Sequence, residues 1–83
     1  MKQATIQIRD LGLAAALSSL GVEITSTKKD ETGRTYFIFA YKDDDEANID
    51  TVITEYWANT LDVKARYYFD AIKMLKSRIY GDQ

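Results

Sequence analysis

The chain has 83 residues, 46% hydrophobic and 29% charged, with a formal net charge of −2. That size suits one domain and not two, and the composition is that of a folded chain rather than a disordered one. With no Cys and no His, it is denied disulfides, thiolate chemistry, the commonest metal ligand and the usual acid–base group near neutral pH.

Residues 1–83 therefore read as a single compact domain. A chain this short buries only about 60–65% of its unfolded surface, so its core is thin and a partner subunit would cover apolar surface that it cannot hide. No apolar run approaches the roughly 20 residues of a membrane span. The first ten residues lack the apolar core of a signal peptide. A cytoplasmic location with no membrane partner is the expectation.

The small net charge hides a segregation. Residues 1–42 carry six basic and four acidic groups, residues 43–62 carry seven acidic groups and no basic one, and residues 63–83 carry five basic and two acidic groups. An acidic and a basic helix lying side by side would account for it. A bipolar surface that orients a charged partner would also account for it.

In chain order, residues 5–9 alternate, with Ile6 and Ile8 on one face, as in a half-buried strand. Asp10 stands where a helix N-cap belongs, and Leu13, Ala16, Leu17 and Leu20 follow at helical spacing. Gly21 can take the left-handed conformation that closes the helix. Val22 and Ile24 alternate with Glu23 and Thr25 in a second strand. The polar stretch 27–34, with Gly33, predicts a hairpin loop.

Residues 35–41 form a third strand, apolar on both faces and so suited to the middle of a sheet. Phe37, Phe39 and Tyr41 share one face; Tyr36, Ile38 and Ala40 share the other. Asp43, Asp44, Asp45 and Glu46 place negative charge at a helix start. Ile49, Val52, Ile53, Tyr56 and Trp57 continue that helix, and residues 59–62 break it. A last helix is expected over 63–80, with Ala65, Tyr68, Phe69, Ile72, Leu75 and Ile79 inward and Gly81 as its stop.

The order β-α-β-β-α-α predicts an α+β fold. A right-handed crossover leads from the first strand to the second, and the hairpin places the third between them. The result is a three-stranded antiparallel sheet, order 1-3-2, with the helices packed on one face. The open face then carries Thr5, Gln7, Arg9, Glu23, Thr25, Tyr36 and Ile38.

Asp10-Leu11 entering an alanine-rich helix that closes on Leu20-Gly21, then Tyr36-Phe37-Ile38-Phe39, Glu55-Tyr56-Trp57, Tyr67 and Leu75-Lys76-Ser77-Arg78-Ile79-Tyr80, carry a resemblance in their order. The chain resembles a family of small phage and bacterial domains of unknown function, domain of unknown function 5659. It departs from that pattern at Gly12 and Leu13, where a bulkier pair is expected, and in its long acidic run. The resemblance implies a phage or prophage setting, hence the host cytoplasm, and implies no activity.

No catalytic constellation emerges. Acid–base pairs need two carboxyls in one cleft with their pKa values driven apart, whereas Asp43, Asp44, Asp45 and Glu46 are consecutive and suit a charged helix start. They could attract Mg²⁺ or Ca²⁺, but the Gly and distal Glu of a calcium loop are missing. Ser18 and Ser19 have no His as base. The glycines form no phosphate-cradling motif. No enzyme activity, metal or cofactor is expected, and a metal-dependent nuclease is the remaining catalytic alternative.

Binding remains. Interfaces draw much of their energy from Tyr and Trp. The chain has ten aromatic residues, more than a thin core hides. A protein partner, from host or phage, or a second copy in a homodimer, is the leading expectation, with Arg9, Tyr36, Ile38, Asp43, Asp44, Asp45 and Trp57 as candidate contacts. The plainer expectation is that Trp57 and Tyr56 simply form the core seam, since a Trp on an apolar stripe is usually buried. Nucleic acid is the alternative partner, held by Lys28, Lys29 and Arg34 near the hairpin and by Lys64, Arg66, Lys73, Lys76 and Arg78 on the last helix. The sequence pI of about 4.9 weighs against a dominant phosphate-binding face.

Overall fold

The computed structural model describes residues 3–80. Three strands, β1 (Gln3–Ile8), β2 (Glu23–Lys29) and β3 (Thr35–Lys42), and three helices, α1 (Leu11–Ser19), α2 (Glu46–Ala58) and α3 (Ala65–Tyr80), follow in the order β1-α1-β2-β3-α2-α3. A single 3-10 turn, Asp43–Asp45, leads into α2. Both outer strands pair antiparallel with β3, so the sheet order is β1-β3-β2. The fold is α+β with the expected topology.

β3 takes the centre because it can bury both faces. Phe37 and Phe39 lie on the helix side and are fully buried with Leu17 of α1 and Leu75 of α3. Each such side chain contributes about 1.5–3 kcal/mol by leaving water. Ala40, on the other face, is covered by its neighbours Thr5 and Glu23 across the ladder. Ala14, Ala15 and Ala16 are all buried, because α1 packs on the sheet below and on α2 and α3 at its flanks. A larger residue at any of the three would push these elements apart.

Local chemistry marks the helix ends. The Asp10 carboxylate accepts from the Leu13 amide at 2.9 Å and so caps α1. At the other end Gly21 has a φ of 97°, and Val22 N–H donates to the Leu17 carbonyl and Gly21 N–H to that of Ser18, both at 3.0 Å. That double bond pattern is a Schellman closure. α2 ends in the same way on Asn59, whose φ is 63°, with Thr60 N–H donating to the Glu55 carbonyl at 2.9 Å.

Several expectations need correction. β2 runs on to Lys29, so the loop shrinks to a turn at residues 30–34. The cause is a bulge: Ile24 faces Phe39 but Ser26 faces Ile38, which shifts the alternation by one and adds Ser26 and Lys28 to the uncovered face. Thr27 turns toward Phe37 and the helices, its hydroxyl buried without a partner. Leu20 lies beyond the last turn of α1 and is 46% exposed.

α3 begins at Ala65 rather than at Val63, and both Ala65 and Phe69 are exposed; the inward stripe is Tyr68, Ala71, Ile72, Leu75 and Ile79. Trp57 is 63% exposed, so it is not part of a core seam. The proposed stop at Gly81 lies outside the described residues. The acidic and basic helices do not pair: α1 packs against both, and among the described residues no ion pair joins α2 to α3.

Candidate functional site

The sheet face away from the helices is exposed along both outer strands. Near its hairpin end Arg9, Tyr36 and Asp30 form a cluster. The Arg9 guanidinium lies 4.8 Å above the Tyr36 ring centroid, and its Nη2 donates to the Tyr36 hydroxyl at 3.3 Å. That hydroxyl donates in turn to Asp30 Oδ2 at 3.3 Å, and the same oxygen lies 3.7 Å from Arg9 Nη2. Cation–π contact and hydrogen bonds together hold a planar cation over an aromatic ring.

Asp30 is fixed by its own turn. Its Oδ1 accepts from the Thr32 hydroxyl at 2.6 Å, the Thr32 amide at 2.8 Å and the Arg34 amide at 3.0 Å. These bonds favour the charged form, the Thr32 hydroxyl most, and lower its pKa to about 2 against an opposing effect of burial. Gly33, at a φ of 87°, supplies the left-handed residue the turn needs. The order Asp30, Thr32, Gly33 carries the signal for such a side-chain-closed turn. Read only as a polar loop, it hid the role of Asp30.

Trp57 sits around the edge of β1 from this cluster. It borders a shallow groove with Gln7, Ile8, Arg9, Asp10 and Leu13. Its ring stands edge-on to Tyr56, centroids 5.0 Å apart at 80°. Arg9 thus belongs to both the groove and the sheet face. Gln7 and Ile38 are direct partners across the ladder. Four of the residues expected from sequence, Arg9, Tyr36, Ile38 and Trp57, therefore gather along the β1 margin.

The other three do not join them. Asp43, Asp44 and Asp45 follow Lys42, which pairs with Gln3 at the start of β1, while Arg9 follows its end. Six residues of strand span about 20 Å. The three aspartates stand exposed on one turn, and among the described residues no three acidic groups converge on a metal-sized site. At that same end a cleft of about 420 Å³ opens between β3 and α2. It includes Tyr41, whose hydroxyl is pushed up by burial and then by Glu46, Asp50 and Asp43. The negative surroundings disfavour an anionic ligand there.

The cations fall into two groups. Lys28 lies on the uncovered face opposite Tyr36, Lys29 pairs with Thr35, and Arg34 closes the hairpin turn. Lys64 precedes α3, and Arg66, Lys73, Lys76 and Arg78 lie along it; all are exposed, in the helix layer.

A structural pair was not foreseen from sequence. The Tyr56 hydroxyl donates to Asp10 Oδ2 at 2.7 Å, and Tyr68 donates to the Gly12 carbonyl at 3.3 Å. Bonding to Asp10, then burial, pushes the Tyr56 pKa up to about 12. A side chain at Gly12 would collide with the Tyr56 hydroxyl. Gly12 is thus the residue that makes room for this bond.

A family model, Domain of unknown function (DUF5659), matches residues 3–81, and the chain belongs to that family. No curated protein and no solved structure matches it.

Proposed function

We propose that this family member is a binding protein without catalytic chemistry, and that it joins a second copy of itself along the β1 margin. The observation that carries the proposal is the placement of Arg9, with half-buried Tyr36 and Ile38 on one side of an outer strand and exposed Trp57 on the other. Among the described residues β1 pairs only with β3, so its outward backbone groups can bond a further strand. A two-fold axis would set β1 against its copy antiparallel, and each Trp57 would pack beside the new seam.

Size argues for the margin rather than the sheet face alone. Three strands span about 14 Å by 20 Å, which is about 300 Å². A stable interface covers about 800 Å² per partner. Adding the strand edge and the Trp57 groove brings the patch nearer that value. The absence of His and Cys from the whole chain supports a role in binding rather than catalysis.

Trp57 is the chain's single tryptophan and so reports on its own surface. Sedimentation from low to high micromolar concentration should show a dimer, with a blue shift of tryptophan emission as it forms. Ile38→Glu and Trp57→Ala should each weaken the dimer at least tenfold. A monomer at high micromolar concentration with unshifted emission would refute self-association.

A further inference from the structure

The outward side of α3 carries a pattern that the dimer does not use. Arg66, Phe69, Lys73, Lys76 and Tyr80 are spaced alternately three and four residues apart, and all are exposed. At 100° per residue they fall on one stripe, turned about 120° from the buried stripe of Tyr68, Ala71, Ile72, Leu75 and Ile79. The stripe is about 21 Å long. Phe69 is 57% and Tyr80 77% exposed. Lys73 Nζ lies 5.0 Å from the Phe69 ring centroid, so cation and ring are held together.

We propose that this stripe binds single-stranded nucleic acid, with Lys73, Lys76 and Arg66 on phosphates and Phe69 and Tyr80 as platforms for bases. Every base offers a flat face to an aromatic ring, and every phosphate offers a charge to a lysine, so a basic stripe interrupted by exposed rings fits this ligand. An acidic protein would satisfy the cations and leave the rings with no specific task. Within α3 itself the one carboxylate is Asp70; it lies 3.7 Å from Arg66 and offsets part of that cation.

The chain's net negative charge does not oppose the proposal. Its acidic groups lie mostly at 43–62, and α1 separates α2 from α3. Two helices on either side of a third are about 16–20 Å apart. The screening length at 0.15 M salt is about 8 Å. The lysines of α3 therefore meet a phosphate with little interference from α2.

The test is fluorescence anisotropy of a labelled 20-nucleotide single strand of mixed sequence against the full chain, at 50 and 200 mM salt. Binding should weaken with salt, and Lys73→Ala with Lys76→Ala should lower the salt slope by about 1.4 and weaken binding about tenfold at 50 mM. Phe69→Ala should weaken binding by about five- to tenfold with the slope unchanged. All three side chains are exposed, so thermal melts of the variants should match the parent. Asp43→Asn with Asp44→Asn and Asp45→Asn should change affinity less than about twofold at 200 mM. No anisotropy change at 100 µM protein in 50 mM salt would overturn the proposal. So would equal binding of poly-glutamate, which would make the stripe a site for an acidic protein, or equal binding of the matching duplex, which offers no free base faces.

Discussion

The Tyr56 hydroxyl donates a 2.7 Å hydrogen bond to Asp10, the same carboxylate that caps α1 through the Leu13 amide. One acidic group thus closes the start of the first helix and anchors the end of the second. Tyr56→Phe removes the long-range half of this arrangement and leaves the cap. A hydrogen bond to a charged acceptor contributes about 1.5–3 kcal/mol. Partial exposure argues for the lower end. Urea denaturation at pH 7 should show a loss of about 1.5 kcal/mol.

The same bond sets a dependence on alkaline pH. The Tyr56 pKa is raised to about 12 in the folded chain, above the ordinary value of 10.0. Between these values the folded state holds a proton that the unfolded state has released. The stability it confers is therefore fully present below pH 10 and is lost as pH rises toward 12. Denaturation midpoints at pH 8 and pH 11 should fall further for the parent than for Tyr56→Phe. Tyr41, raised in the same direction, stays in both proteins and cancels in the comparison.

Gly12 tests the steric side of the arrangement. Gly12→Ala adds a carbon that collides with the Tyr56 hydroxyl. In the parent it should destabilise by about 1–2 kcal/mol, because the hydrogen bond must break or lengthen. In the Tyr56→Phe background that penalty should shrink by about 1 kcal/mol, because the hydroxyl overlap is gone and only 3.3 Å contacts with the ring Cζ and Asp10 Oδ2 remain, set against the better helix propensity of Ala. A double-mutant cycle by urea denaturation measures that relief. Simple additivity of the two substitutions would sink the steric account.

Asp30 gives an acid counterpart. Its pKa is lowered to about 2, chiefly by the Thr32 hydroxyl. The turn it closes should hold above the ordinary carboxylate value of 3.8 and loosen as pH falls through 2. The amide signals of Thr32 and Arg34 should titrate together with a midpoint near 2. A midpoint near 4 would mean that those hydrogen bonds do not form in solution.

Thr27 predicts a gain. Its hydroxyl is buried without a partner on the helix side of β2. An unsatisfied buried polar group costs about 1–3 kcal/mol. Thr27→Val keeps the shape and the β-branching that a strand favours. It should raise the thermal midpoint, by an amount equivalent to about 1 kcal/mol. A fall would show that the hydroxyl has a bonding partner in solution.

The sequence made the element order legible because each element carries its own punctuation. Asp10 and Gly21 bracket α1, and an apolar-on-both-faces β3 selects the central position. The sites were harder to read, for identifiable reasons. Trp57 lies eight residues after Ile49, which by helical rotation sets it at the margin of the buried stripe, where spacing alone does not fix exposure. Phe69 continues the apolar spacing of α3 yet falls on the outward side, because that helix carries two stripes and periodicity does not say which is buried. The bulge in β2 left no mark, since Thr25, Ser26 and Thr27 are similar in size and polarity. The Arg9–Tyr36–Asp30 cluster joins three segments through tertiary contact, so no local pattern announced it.

Gly12 and Tyr56 also constrain how the sequence can drift. They lie in different helices, yet a residue larger than glycine is unwelcome at one position for as long as the other keeps its hydroxyl. A descendant that loses the hydroxyl first lowers its stability, then finds alanine at the glycine position less costly than before. The opposite order begins with a clash. Evolutionary change at this pair is therefore directional, and the two positions should vary together among relatives: glycine beside tyrosine, and larger residues beside shorter side chains.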